Sequence, residues 1–74
     1  MNTQEFLTNL ETAIDAEAGS IAEDATLSSI LEWDSLAVVG YIAMADAKYG
    51  KKVLPGRIKE CKTVNDLMQL IAAS

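Results

Sequence analysis

Asp34-Ser35-Leu36, preceded by Trp33 and followed by a run of apolar residues at helical spacing, presents the best-placed hydroxyl in this chain for chemistry. The first N–H groups of a helix have no partner within it, and the aligned peptide dipoles leave partial positive charge there. A serine at such a junction suits a covalently attached phosphate, because an anion is favoured at that end. An Asp-Ser pair also fits a plain helix cap, so the pair alone leaves both readings open. Other reactive chemistry is scarce. The 74 residues include no histidine, so a Ser-His triad is impossible and the commonest general base is missing. Cys61 is the only cysteine, which excludes an internal disulfide and leaves no thiol cluster to mark a metal site. Neither a catalytic set nor a metal set is expected.

The elements that must position Ser35 follow from periodicity and caps. Phe6, Leu7, Leu10, Ala13 and Ile14 recur at helical spacing, with Asn2 and Glu5 placed as a cap and its partner, and predict a first helix over about residues 3–17 that Gly19-Ser20 ends. The link from there to Asp34 is long for a connection in a small domain, so it is expected to be an ordered loop pinned by Ile21, Leu27, Ile30 and Leu31. A second helix is predicted from Ser35 to about Tyr49, with Asp34 as N-cap, Lys48 in the last turn and Gly50 as the stop. Its apolar positions cover more than one stripe, which fits either burial against several neighbours or an exposed docking face. Pro55-Gly56 breaks the next segment, and Ile58 with Cys61 suggests a third helix of one or two turns. Thr63 and Asp66 form a capping-box pattern for a last helix, in which Val64, Leu67, Met68 and Ile71 repeat at helical spacing. The expectation is an all-α fold in a single domain over residues 1–74: a small four-helix bundle of three main helices plus a short third helix, with a long loop between helices 1 and 2.

A chain this short buries a thin core and cannot enclose a deep active site, so its chemistry is expected to be shared with a larger partner. The net charge is −5, and the charges are segregated. Residues 1–47 hold nine carboxylates and no base, whereas Lys48, Lys51, Lys52, Arg57, Lys59 and Lys62 all fall within 48–62. An acidic surface repels nucleic acid and anionic lipid and attracts basic protein patches, so a protein partner is expected and no nucleic acid. The basic segment is short and poor in aromatics, and reads as a solvated loop and helix end. No stretch approaches the roughly 20 apolar residues of a membrane span, and the N-terminus lacks the pattern of a signal peptide. A cytoplasmic monomer is expected.

From about Leu27 to Ile71 the chain resembles the acyl carrier proteins. The resemblance rests on Asp34-Ser35-Leu36, the helix after it, the acidic character, and Val53 and Thr63-Val64 falling where carriers place their third helix and the cap of their fourth. It implies that Ser35 carries 4′-phosphopantetheine, its Oγ attacking the β-phosphate of coenzyme A while a phosphopantetheinyl transferase supplies Mg²⁺ and the base. The arm's terminal thiol, rather than Cys61, would hold acyl groups as thioesters, and Cys61 would fill a core position as a small hydrophobe. Acyl-loading and acyl-processing enzymes would be the further partners. The docking residues expected are Trp33, Asp34, Leu36, Val39 and Met44: Asp34 as cap and as ion-pair partner for the transferase, Leu36 facing that partner as the resemblance implies, Trp33 either docking or packing the loop, and Val39 and Met44 as apolar contacts. Three features depart from carriers of fatty-acid biosynthesis. Ala37, Gly40 and Ala47, with Asp46, stand where several glutamates are usual, Glu32 replaces a glycine, and Arg57 and Lys59 make the third helix basic. A stand-alone specialised carrier in lipid, polyketide or related biosynthesis is therefore expected. The alternatives are a peptidyl or aminoacyl carrier, and a small helical interaction module in which Ser35 stays unmodified. Gly40 reads equally as close helix packing or as room for a partner or for the arm.

Overall fold

The computed structural model describes residues 2–72, and its first helix begins at the expected cap. The Asn2 side chain accepts a hydrogen bond from the Glu5 N–H at 3.1 Å, and α1 runs over Thr3–Ala13. It stops well short of residue 17. Asp15 takes a left-handed conformation (φ 59°), the Asp15 N–H donates to the Thr12 carbonyl at 3.3 Å, and the Ala16 N–H reaches back to the Glu11 carbonyl at 2.8 Å. This pair of bonds is a Schellman closure, with aspartate where glycine is usual. Aspartate tolerates that conformation better than most side chains, which is why periodicity alone placed the stop too late.

The long loop is ordered, though not only by the side chains expected. Ile21 and Leu27 are buried and Ile30 half-buried, but Leu31 is 96% exposed. The chain turns there, with the Trp33 N–H donating to the Ile30 carbonyl at 3.1 Å, and Leu31 is left on the outside of the turn. Polar ties complete the anchoring. The Glu11 carboxylate, 5% exposed, accepts from the N–H groups of Gly19 at 3.0 Å and Ile21 at 3.2 Å. Farther along, the Leu27 N–H donates to the Lys62 carbonyl at 2.8 Å, while the Val64 and Asn65 N–H groups each donate at 3.0 Å to the carbonyls of Ala25 and Glu23. The loop, with a short 3₁₀ turn at Leu27–Ser29, is thus laced to the start of the last helix.

The second helix, α2, spans Ser35–Tyr49 as its caps predicted. The Asp34 carboxylate accepts from the Ala37 N–H at 2.9 Å, and Gly50 ends the helix at φ 65°. Ala37, Tyr41, Met44 and Ala45 face inward, while Leu36 and Val39 point out. A one-turn α3 covers Pro55–Ile58. Pro55-Gly56 does not break the chain before this helix but begins it, since proline's fixed φ and missing N–H suit a first helical position. The last helix, α4, covers Val64–Ala72. Its capping box forms reciprocally: the Asp66 N–H donates to Thr63 Oγ1 at 3.2 Å, and the Asp66 carboxylate accepts from the N–H groups of Lys62 at 2.9 Å and Thr63 at 3.1 Å. Those two backbone donors hold the Asp66 carboxyl below its ordinary value. Val64, Leu67, Met68 and Ile71 are buried, and the most enclosed core side chains are Tyr41, Phe6, Leu10, Leu67 and Val64. The four helices form the small all-α bundle that the periodicity implied.

Gly40 lies in close contact with the end of α1. A Cβ added there would overlap the Ala13 carbonyl oxygen and lie 3.3 Å from the Ala13 carbonyl carbon. Both contacts are backbone, so neither can swing aside. Close packing explains this glycine, and for the same reason the position cannot take an acidic side chain; Ala37, 4% exposed, cannot either. Gly40→Ala is therefore expected to lower the melting temperature by about 4–8 °C, an overpacking cost of about 2 kcal/mol partly offset by about 1 kcal/mol of helix propensity. Thermal unfolding followed by circular dichroism checks this; an unchanged or raised midpoint would mean that α1 and α2 can part without penalty.

Candidate functional site

Ser35 is the first residue of α2, and its side chain is exposed. Among the described residues none hydrogen-bonds its hydroxyl. The hydroxyl stands at the mouth of a groove of about 360 Å³ lined by Leu27, Trp33, Val38, Pro55, Ile58, Lys59 and Cys61 together with Ser35. Four pieces of the chain meet there: the 3₁₀ turn, the residue before the α2 cap, the first turn of α2, and α3 with the residues after it. Leu27 and Ile58 are buried and form the base, and half-buried Trp33 and Val38 form walls. Trp33 is backed by Tyr41, the two rings meeting edge to face at 6.4 Å and 70°. Tyr41 is fully buried, and its hydroxyl donates to the Leu67 carbonyl at 2.6 Å. Burial pushes the Tyr41 phenol well above its ordinary value, with charge at Cys61 adding to the effect.

The groove lining is mostly apolar. Among the described residues lining it there is no carboxylate, and the Asp34 carboxylate beside it is occupied by the Ala37 N–H. Lys59 is the one cation in the lining. Cys61 is half-buried rather than sunk in the core, and its thiol donates to the Arg57 carbonyl at 3.6 Å. Burial, then the Asp66 and Glu60 carboxylates, push that thiol up, so it remains protonated and weakly nucleophilic at neutral pH.

The structure brings only some of the sequence-selected docking residues together. Asp34 is exposed at the cap, Leu36 (77% exposed) and Val39 (61%) lie one turn apart on the outer face of α2, and Trp33 both packs the loop and walls the groove. Met44 stands apart from them: it is 6% exposed, and the little surface it shows lines a separate concavity with Gly40, Ala43 and Ala47. Its helical position is at the edge of the buried face, between Gly40 and Tyr41. Lys59, Leu27 and Val38 were not singled out for the site, because only the folding of α3 and the loop against α2 makes them neighbours of Ser35. The basic character of residues 48–62 was the one signal available for Lys59.

A family model described as a phosphopantetheine attachment site matches residues 4–71. The chain is 29% identical, over an alignment of 76 residues, to an acyl carrier protein of Acidothermus cellulolyticus, covering 97% of this chain and 90% of that one. It is also similar to the solution NMR structure of the holo acyl carrier protein from Geobacter metallireducens, with a TM-score of 0.76 and 26% identity over 99% of this chain and 85% of that one.

The Asp34 cap fixes where α2 begins, and so where the Ser35 hydroxyl stands. Asp34→Ala is expected to cost about 1 kcal/mol of stability, whereas Asp34→Asn, which keeps an accepting oxygen, should cost only a few tenths. Urea unfolding of the two variants decides this. Equal losses would show that charge rather than the cap hydrogen bond is what Asp34 contributes.

Proposed function

The chain belongs to the phosphopantetheine attachment-site family, that of the acyl carrier proteins, and on that premise we propose that Ser35 is the residue to which its 4′-phosphopantetheine is joined. The single observation that carries this reading is an exposed hydroxyl at the first position of an α-helix, opening onto an apolar groove whose lining contains one cation. The residues present fit the group. A phosphodiester on Ser35 lies at the positive end of the α2 dipole, with the Lys59 ammonium in the same groove, and the apolar walls suit the arm beyond it. Bound there, the arm supplies a terminal thiol for thioester linkage. The chain's own residues then position and shelter: Asp34 fixes the helix start, Trp33 and Val38 exclude water from one side, and Cys61, held protonated, does not compete as a nucleophile.

On this reading the chain is a non-catalytic carrier domain over residues 1–74, used by a phosphopantetheinyl transferase and by acyl-loading and acyl-processing enzymes. A serine hydroxyl needs a base to become a good nucleophile, and the groove lining holds none, which supports assigning base and metal to the transferase. Service to a dedicated set of enzymes, in lipid, polyketide or related biosynthesis, is supported by the outer face of α2, where Leu36 and Val39 are exposed and Ala43 and Ala47 carry no charge. Partners of such a face rely on apolar contact more than on charge steering.

Two measurements test these assignments. Ser35→Ala is expected to keep the melting temperature within a few degrees, since it removes an exposed hydroxyl, and to abolish the intact-mass gain on incubation with coenzyme A and a transferase. Persistence of the modification in that variant would remove Ser35 from the role. For docking, Leu36→Ala should reduce kcat/KM of the transferase about tenfold, the effect of losing about 1.4 kcal/mol at an interface, with little change in stability because the side chain lies outside the core. Unaltered transfer kinetics would exclude Leu36 from the contact surface.

A further inference from the structure

A cleft of about 710 Å³ lies between α3 and α4, and neither Ser35 nor the outward-facing Leu36 and Val39 of α2 lines it. Val53, Leu54 and Leu70 make it apolar. Val53 is buried and Leu70 half-buried, whereas Leu54 is 67% exposed. A single exposed leucine is ordinary on a protein surface, but this one continues an apolar lining and stands among cations. The rim holds Lys52 and Arg57 together with Glu60 and Asp66, and these charges do not cancel. Asp66 turns its carboxylate to the N–H groups of Lys62 and Thr63 at the start of α4, so its charge is balanced within the fold. Lys52 reaches Asp46 at 3.8 Å, and both side chains are exposed, so that pair is weak. The Arg57 guanidinium has no hydrogen-bond or ion-pair partner among the described residues. With Glu60 as the remaining carboxylate of the rim, the cleft is net positive.

From this arrangement we infer that the cleft between α3 and α4 is a second docking site, and that it takes an acidic amphipathic segment of a partner protein. An apolar side chain of that segment seats on Leu54 and Leu70, while carboxylates beside it meet Arg57 and Lys52. The sign of the partner follows from how charge is divided along the chain. Residues 1–47 hold nine carboxylates and no base, so an acidic segment is repelled there and steered to the side formed by residues 48–62. Arg57 can hold a carboxylate with two donors at once, and an arginine next to an apolar anchor is where binding energy concentrates. An amphipathic helix laid between two helices offers its apolar residues at i, i+3, i+4 and i+7, a pattern that suits an open cleft of this kind. Because Ser35 does not line the cleft, a partner held there leaves the hydroxyl open to other enzymes. The site therefore retains the protein in an assembly while α2 and Ser35 are being used. It does not depend on which residue carries the arm.

The probe is a synthetic helical peptide with leucines at i, i+3, i+4 and i+7 and glutamates between them, compared with one carrying lysines for the glutamates and one carrying serines for the leucines. NMR spectra of the full chain locate the contact, and fluorescence anisotropy of the labelled peptide measures its strength. Resonances of Val53, Leu54, Gln69 and Leu70 are expected to shift on binding, with Leu36 and Val39 unmoved. The lysine and serine peptides should bind about tenfold more weakly, and affinity for the acidic peptide should fall as ionic strength rises from about 0.1 to 1 M. Leu54→Ser and Arg57→Glu should each weaken binding about tenfold, and Arg57→Glu should also flatten the salt dependence. Both side chains are exposed, and melting curves confirm that each variant is folded before it is compared. With peptide at saturation, the rate of intact-mass gain from coenzyme A and a transferase should be unchanged. Shifts centred on Leu36 and Val39, equal binding of the lysine peptide, or indifference to both substitutions would overturn the site. A mass gain blocked by the peptide would overturn the independence of the cleft from Ser35. Tighter association with anionic phospholipid vesicles than with the peptide, lost in Arg57→Glu, would give the cleft to a lipid surface and overturn the protein partner.

Discussion

The position of Tyr41 is the constraint on which the rest of this structure depends. It is the largest fully buried side chain, and it joins three parts of the fold: its backbone belongs to α2, its hydroxyl is hydrogen-bonded to the Leu67 carbonyl of α4, and its ring supports Trp33 from the loop before α2. A buried hydroxyl without a partner is costly, so the hydrogen bond restricts the ring to one placement, and packing around the ring restricts α2 in turn. The first turn of α2, with Ser35, and the wall formed by Trp33 are consequently fixed relative to the same anchor. A small domain has few such anchors available, and this one serves both the core and the site.

The long loop is the second requirement, because it delivers Trp33 and Leu27 to the groove. Its order comes as much from polar ties as from burial. One carboxylate, Glu11, receives two loop N–H groups, and the backbone around Glu23 to Leu27 exchanges hydrogen bonds with the backbone at Lys62 to Asn65. These bonds satisfy groups that a loop pressed against a protein surface would otherwise leave unpaired. They also connect the groove to the α4 capping box, since Asp66 holds the same Lys62–Thr63 segment from the other side.

The site that results has a division of labour built into it. The exposed hydroxyl lies where an anion is favoured, the groove is apolar, and the nearest thiol is kept protonated by burial and by neighbouring carboxylates. Such an arrangement suits the carrying and sheltering of a group. The uncharged small residues of α2 have two separate physical origins. At Ala37 and Gly40 the packing of α2 leaves no room for a carboxylate, whereas at Ala43 and Ala47 the side chains are exposed and the absence of charge is a property of the surface.

Sequence alone determined the features whose causes are local. Asp34 caps α2 with the N–H three residues on, Gly50 can adopt the left-handed conformation that ends it, and Thr63 with Asp66 closes a box within one turn, so each was legible from neighbours in the chain. The serine and its place at a helix start were legible for the same reason, as was the all-α fold, whose apolar spacing follows the helical repeat. What required the tertiary structure were outcomes decided by distant partners. Two exceptions are local turns that apolar spacing does not register: the end of α1, where Asp15 takes a left-handed conformation, and Leu31, left outside a turn closed between Trp33 and Ile30. Met44 is mostly buried because α2 presents the Tyr41 face inward, and the choice at Gly40 was made by the Ala13 carbonyl across the helix contact. Lys59 and Cys61 join Ser35 in one groove only after α3 has folded against α2. Capping and periodicity act within a turn or two, whereas burial and cavity shape are properties of surfaces brought together by the whole chain.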